Sequence, residues 1–269
     1  MKHFAAAAAL AVPLLIAAQQ QVAKPRGDWP CGARVDPTYF NMAEATGGHL
    51  LLLAPEEIGD SATLLVAFDA HPQTIFRLAG SLKAGLHEFL LPIDSSVESV
   101  VFSISVQCLQ VADVIGPSGT SPGGDNVTDL ANFRAQRMVI VKRPERGVWT
   151  LRVSGSGIAG ILVQAKSAIG MSHPEFAPRD SQTFTHSPTA GAESVMRIHV
   201  NGNVSEVQGS VINAVSVPIA KLRWEAESEV SFVSRLTPSA EAFRVVIVGK
   251  DSEGFPFQRM DSRLTTPTR

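Results

Sequence analysis

Gly147-Val148-Trp149-Thr150-Leu151-Arg152-Val153-Ser154-Gly155-Ser156-Gly157-Ile158-Ala159-Gly160-Ile161-Leu162-Val163-Gln164-Ala165-Lys166 is the stretch that decides the fold class. Trp149, Leu151 and Val153 alternate with Thr150, Arg152 and Ser154, the two-residue period of a strand with one wet face. A Gly- and Ser-rich run follows to Gly160, and then Ile161, Val163 and Ala165 alternate with Leu162, Gln164 and Lys166. The pattern predicts two strands joined as a β-hairpin through a long glycine turn.

Upstream, the same period predicts strands over 74–78, 86–93, 100–108, 109–115 and 137–141. Lys83-Ala84-Gly85, Asp94-Ser95-Ser96 and the run from Gly116 to Gly124 separate them with loop chemistry. Seven or so short strands at this spacing read as an antiparallel β-sandwich over 71–170. Downstream, 171–192 is rich in polar residues and carries Pro174, Pro178 and Pro188, as a linker does.

A second strand-rich block over 193–262 follows, with Met196, Ile198 and Val200 alternating with Arg197 and His199. Leu222, Trp224 and Ala226 alternate with Arg223 and Glu225, and Phe243, Val245 and Ile247 share a face. Its size is that of one small immunoglobulin-like or fibronectin-like sandwich. Residues 263–269 read as a disordered tail. The expected class is mainly β: two β-sandwich domains preceded by a short α/β segment over 19–70.

That segment opens with a helix signal. Asp36 is a good N-cap, Pro37 takes the first helical position, Tyr39, Phe40 and Ala43 make an apolar stripe, and Gly47-Gly48 stops the helix. Leu50-Leu51-Leu52-Leu53, bounded by glycine and Pro55, is expected to be a buried strand. Glu56, Glu57, Ile58, Leu64, Leu65 and Phe68 suggest a second helix. Ahead of all this, Phe4 to Ile16 is apolar and Ala17-Ala18 supplies small residues before Gln19, so 1–18 reads as a cleaved signal peptide. No second apolar stretch of membrane-spanning length follows it. The expected compartment is periplasmic or secreted.

The composition is that of a folded protein, with 45% hydrophobic and 18% charged residues among 269. A formal charge of -2 gives no field that attracts nucleic acid. Two cysteines remain after cleavage, Cys31 and Cys108, and in an oxidising compartment such a pair suggests one disulfide. Cys108 falls in the period of Phe102, Ile104 and Val106, which places it toward a core. The bridge is worth on the order of 4 kcal/mol in the chain-entropy picture. The alternative is two buried free thiols.

No motif speaks for catalysis. Gly119-Thr120-Ser121-Pro122-Gly123 fits the hydrolase string Gly-x-Ser-x-Gly, yet Pro122 lacks the N–H that the oxyanion hole takes from the residue after the serine. His3, His49, His71, His87, His173, His186 and His199 are scattered without zinc-site spacing. Asp113, Asp125 and Asp129 flank the Gly-rich loop but lack the register of a calcium loop. Asn126-Val127-Thr128 and Asn203-Val204-Ser205 fit the glycosylation acceptor pattern. Trp149 and Trp224 read as core anchors, and Trp29 as packing beneath the disulfide. No metal ligand, catalytic residue or cofactor is expected.

Several pieces resemble one family. Cys31 followed by Val35-Asp36-Pro37-Thr38-Tyr39 and Ala43-Glu44-Ala45-Thr46-Gly47-Gly48-His49-Leu50 is similar to the closing helix and strand of a von Willebrand factor A domain in hemicentin-like proteins. Gly147 to Val153 resembles the sandwich after that domain, and Ala242-Phe243-Arg244-Val245 with Gly249, Asp251, Gly254 and Phe257-Gln258-Arg259 resembles a further one. The resemblance implies an extracellular protein with protein or glycan partners at a cell surface. The metal-binding Asp-x-Ser-x-Ser of the A domain is missing, and the nearest string, Asp94-Ser95-Ser96-Val97-Glu98, fails at its last position. Metal-dependent adhesion is therefore not implied.

The expectation is an exported, non-enzymatic binding or structural protein. The alternative is an exported hydrolase whose carboxylates meet only in three dimensions. A third reading makes the chain one part of a larger surface assembly, with an apolar patch left on the 36–53 segment for a partner.

Overall fold

The computed structural model describes residues 31–65, 67, 72–181 and 183–269. The signal-peptide reading, His3, Trp29, Phe68 and His71 lie outside them. In chain order the elements are helix α1 (Pro37–Thr46), a 3₁₀ turn (Pro55–Asp60) and helix α2 (Ser61–Leu65). Six strands follow: β1 (Gln73–Ile93), β2 (Val97–Val106), β3 (Val111–Ile115), β4 (Val127–Asn132), β5 (Gln136–Lys142) and β6 (Gly147–Ser167). The rest are β7 (Gly170–Met171), β8 (Glu175–Pro178), β9 (Ser194–Asn201), β10 (Val204–Ile212), β11 (Pro218–Leu222), β12 (Glu225–Ala226), β13 (Ser231–Leu236), β14 (Arg244–Asp251) and β15 (Pro256–Met260). The chain is mainly β, and its sheets are antiparallel.

The first sheet has the order β1-β6-β2-β5-β4, with β3 also on β6. Here the expected hairpin is corrected: 147–167 is one continuous strand. Its first half lies between β1 and β3 and its second half between β1 and β2. The glycines serve close approach rather than chain reversal. A Cβ on Gly155 would stand 2.6 Å from the Cys108 carbonyl oxygen, and Gly157, at φ 90°, lies under the Gln107 side chain. Strand β1 runs unbroken through Lys83-Ala84-Gly85, expected to be a loop, because a register shift between Leu82 and Gly85 absorbs the bend. Two 21-residue strands thus carry one sheet around one core, with Trp149, Leu151 and Val153 from one half and Ile161, Val163 and Ala165 from the other.

Alanine at position 155 tests this packing. It is expected to cost about 1–3 kcal/mol, because the Cβ meets a main-chain oxygen and not a side chain that can swing away. Denaturant unfolding measures it, and a loss under ~0.5 kcal/mol contradicts the contact.

Downstream, the sheet β11-β10-β14-β15 faces the sheet of β12, β13, β9 and β7, with β8 on β9. Phe243, Val245, Val211 and Leu222 meet Phe176 and Met196, and Ile247 and Phe257 meet Ile198 and Val200. Residues 171–192, expected to be a linker, contribute β8 and buried Phe176 and Ala177. The tail is corrected as well. Thr265 exchanges two main-chain hydrogen bonds with Phe243, at 2.7 and 2.9 Å, and Thr268 N–H donates to Pro188. Ile212, Val246 and Met260 complete the first core.

Ahead of the sheets, Asp36 accepts from Thr38 N–H at 2.9 Å and Gly47, at φ 72°, closes α1. Leu50 to Leu53 form no strand. They lie extended on the outer face of the first sheet, where Leu51 and Leu53 pack with Leu64 on Val101, Ala131 and Met138. Burial against a sheet face satisfies an apolar run as well as a place within a sheet does.

Candidate functional site

Glu44 sits in the last turn of α1, and its side chain turns inward between two arginines. Oε1 accepts from Arg77 Nε at 2.7 Å and Oε2 from Arg244 Nη2 at 2.5 Å. All three are essentially out of solvent. Arg77 also donates to the carbonyls of Ala43 (2.9 Å), Gly47 (3.1 Å) and Gly48 (2.6 Å). A cation thereby satisfies the orphan carbonyls at the negative end of the helix dipole. Burial pulls the Arg77 pKa down, Glu44 pulls it back up, and Arg244 adds to the downward pull. Nε and Nη1 of Arg244 have no hydrogen-bond partner among the described residues.

His49 follows in the same wall. Burial, with the nearby Arg77 charge second, lowers its pKa from 6.5 to about 4, so the imidazole is neutral at pH 7. Glu44, His49, Arg77 and Ser103 line a cavity of about 20 Å³, with Leu50 and Gly160 on its apolar side. That is room for about one water. It is too small for a substrate.

A second buried junction ties the two strand-rich blocks. Arg259 Nη2 donates to Asp94 Oδ2 at 2.7 Å and to Ser167 Oγ at 2.5 Å, and Arg259 Nε donates to the Ile169 carbonyl at 2.8 Å. Asp94 Oδ1 accepts from Ser96. Burial lowers the Arg259 pKa and Asp94 opposes it. Beside it, Asp251 Oδ2 accepts from Ser95 N–H at 2.7 Å. Burial raises the Asp251 pKa, but the hydrogen bonds from Ser95, Phe255 and Glu253 outweigh it and the net shift is downward. The string Asp94-Ser95-Ser96 is thus a structural staple.

Cys31 pairs with Cys108 at a Cα separation of 4.8 Å. Cys108 is half-buried in the turn after β2 and not on its inner face, and Cys31 is exposed. The bond therefore anchors the edge of the N-terminal segment, helped by Gln107 Nε2 donating to the Ala33 carbonyl at 2.6 Å. Ser121 lies in the exposed β3–β4 loop. His87 Nε2 bonds the Lys83 carbonyl, His173 Nδ1 lies 2.6 Å from Asp261 Oδ1, and His186 and His199 are exposed. Asp129 pairs with Arg137, and Asp113 and Asp125 stay on the surface. Trp149 is a core anchor whose Nε1 donates to the Glu145 carbonyl. Trp224 packs half-buried over Gly209.

Sequence reasoning missed both junctions. Its available signal was a charge inside an apolar strand: Arg77 before Leu78, Arg244 between Phe243 and Val245, Arg259 before Met260. Among the described residues no group of three His, Cys, Asp or Glu side chains is placed to hold a metal ion. The buried carboxylates Glu44 and Asp94 are each engaged by arginine, so these two junctions clamp separate elements together.

No protein-family model matches the chain. It is 24% identical to mouse (Mus musculus) hemicentin-1 over 212 residues and 22% identical to human (Homo sapiens) hemicentin-1 over 194. These alignments cover 70% and 67% of this chain but only 4% and 3% of those far longer proteins. The likeness is distant and partial. Among solved structures, a Legionella pneumophila DUF4785 family protein superposes with a TM-score of 0.42 at 12% identity, over 75% of this chain and 66% of its own. The propeptide form of the Bacillus licheniformis lipase BlEst2 gives 0.36 at 16% identity, over 72% and 41%. Neither is close enough to assign a shared fold. No helix among the described residues is long and apolar enough to cross a membrane.

Proposed function

We propose that this chain is an exported, non-enzymatic structural or binding protein that presents strand edges and loops to a protein or glycan partner outside the cell. The observation that carries the reading is the likeness to hemicentin-1 across some two thirds of the chain, on a mainly antiparallel-β architecture. The use of buried charge supports it, since both arginine–carboxylate junctions join separate elements. We further propose that 71–170 and 193–262 are its two sandwich units, that 1–18 is removed on export, and that 19–70 answers to the end of an A domain.

The third reading, a piece completed by another chain, calls for an apolar patch on 36–53; among the described residues there, Met42 is exposed while Ala43, Glu44 and Leu52 are buried.

Crosslinking the mature protein in its native envelope and medium, with bound chains and glycans identified by mass, tests the proposal. A stoichiometric macromolecular partner is the expected result. Turnover of ester, peptide or glycoside substrates by the purified chain overturns it in favour of the hydrolase.

A further inference from the structure

The segment from Cys31 to Leu65 is a strap laid over the first sheet. At one end the Cys31–Cys108 pair ties it down. Along its middle, Leu50 lies against Gly160, and the Leu50 carbonyl accepts from Ser105 Oγ at 2.8 Å. Its central fastening is ionic, with Glu44 and the carbonyls at the end of α1 gripped by Arg77 and Arg244. We propose that this fastening is an acid-sensitive latch, in which protonation of His49 releases α1 and the extended run to Leu53 from the sheet while the Cys31–Cys108 pair keeps the strap tethered.

Charge balance in a small cavity sets the latch. His49 lines the cavity together with Glu44 of α1 and Arg77 of β1. Arg244 of β14 reaches the same carboxylate, and Asp261, after β15, acts on Arg77 and is itself bonded to His173. β2 and β6 face the cavity with Ser103, Gly160, Ile161 and Leu162, which carry no charge. The junction thus holds two guanidiniums against Glu44 and Asp261, with the neutral imidazole of His49 in the same cavity wall. A proton on His49 adds a third cation beside Arg77 in a cavity with room for about one water.

The sign follows from linkage. A histidine whose folded pKa is depressed contributes stability fully present above its unfolded value near 6.5 and lost as pH falls toward about 4. Over that window the closed-to-open ratio of the strap falls on the order of a hundredfold.

Hydrogen exchange of the full mature chain between pH 7 and pH 4, corrected for the intrinsic rate at each pH, tests the latch. Peptides over 36–54 are expected to lose protection by about that factor while peptides over β6 keep theirs, and His49→Gln is expected to remove most of the change. An equal loss in His49→Gln overturns the latch, and so does loss of β6 protection at the same pH as the strap. If His49→Gln does not fold, the imidazole is titrated by NMR in the wild-type chain. A midpoint near 4 supports the latch, and one near 6.5 overturns it.

Discussion

Replacing Glu44 with alanine is expected to destabilise the chain by about 3–5 kcal/mol, the loss seen when one partner of a buried ion pair is removed and the other charge stays behind. Two guanidiniums are stranded here, Arg77 at 4% and Arg244 at 0% exposure. Arg244 already keeps two guanidinium nitrogens, Nε and Nη1, without a partner among the described residues, so loss of Glu44 leaves its charge almost unsupported. Urea unfolding followed by tryptophan fluorescence reads the change. A loss below ~1 kcal/mol means that the junction is solvated and α1 is not seated as described. The triple variant Glu44→Leu, Arg77→Met, Arg244→Met separates stability from placement. Removing all the charge together is expected to return the chain to wild-type stability or above it. If the strap of that variant then exchanges hydrogen faster, the ions serve to fix where α1 lies.

The same junction shows where a sequence can be read and where it cannot. The alternation within 149–153 and 161–165, the N-cap at Asp36 and the stop at Gly47 depend on neighbours along the chain, and each is in the structure, although the joining hairpin is not. The glycines of 147–166 were legible as special positions but not as to purpose. Turn glycine and close-approach glycine look alike until the Cys108 carbonyl and the Gln107 side chain are placed beside them. Leu50 to Leu53 announced burial and read as a strand, because nothing along the chain tells a place in a ladder from a place on a sheet face. Partners such as Glu44 and Arg244 are 200 residues apart, and periodicity carries no record of such a pairing. The tail was misread for the same reason, because polar Thr265 and Thr268 are held by Phe243 and Pro188, distant in sequence.

Replacing Cys31 and Cys108 together with serine is expected to cost about 4 kcal/mol, because the pair closes a loop of 77 residues' separation and the open unfolded chain regains that freedom. Reduction of the wild-type chain by dithiothreitol is expected to give the same loss. Intact mass before and after reduction and alkylation tells whether the sulfurs are bonded, and two alkylated thiols without reduction return the free-thiol alternative. The more informative measurement combines this change with Glu44→Ala. The bond and the ion pair hold the same strap from two ends, so their losses are not expected to add. Once α1 has left the sheet, residues from Cys31 onward are disordered in the folded state as well, and the bond then restrains both states alike. The combined loss should fall short of the sum by about 1–3 kcal/mol. Simple addition would mean that the strap stays on the sheet without Glu44, held by Leu51, Leu53 and Leu64 on Val101 and Met138 alone.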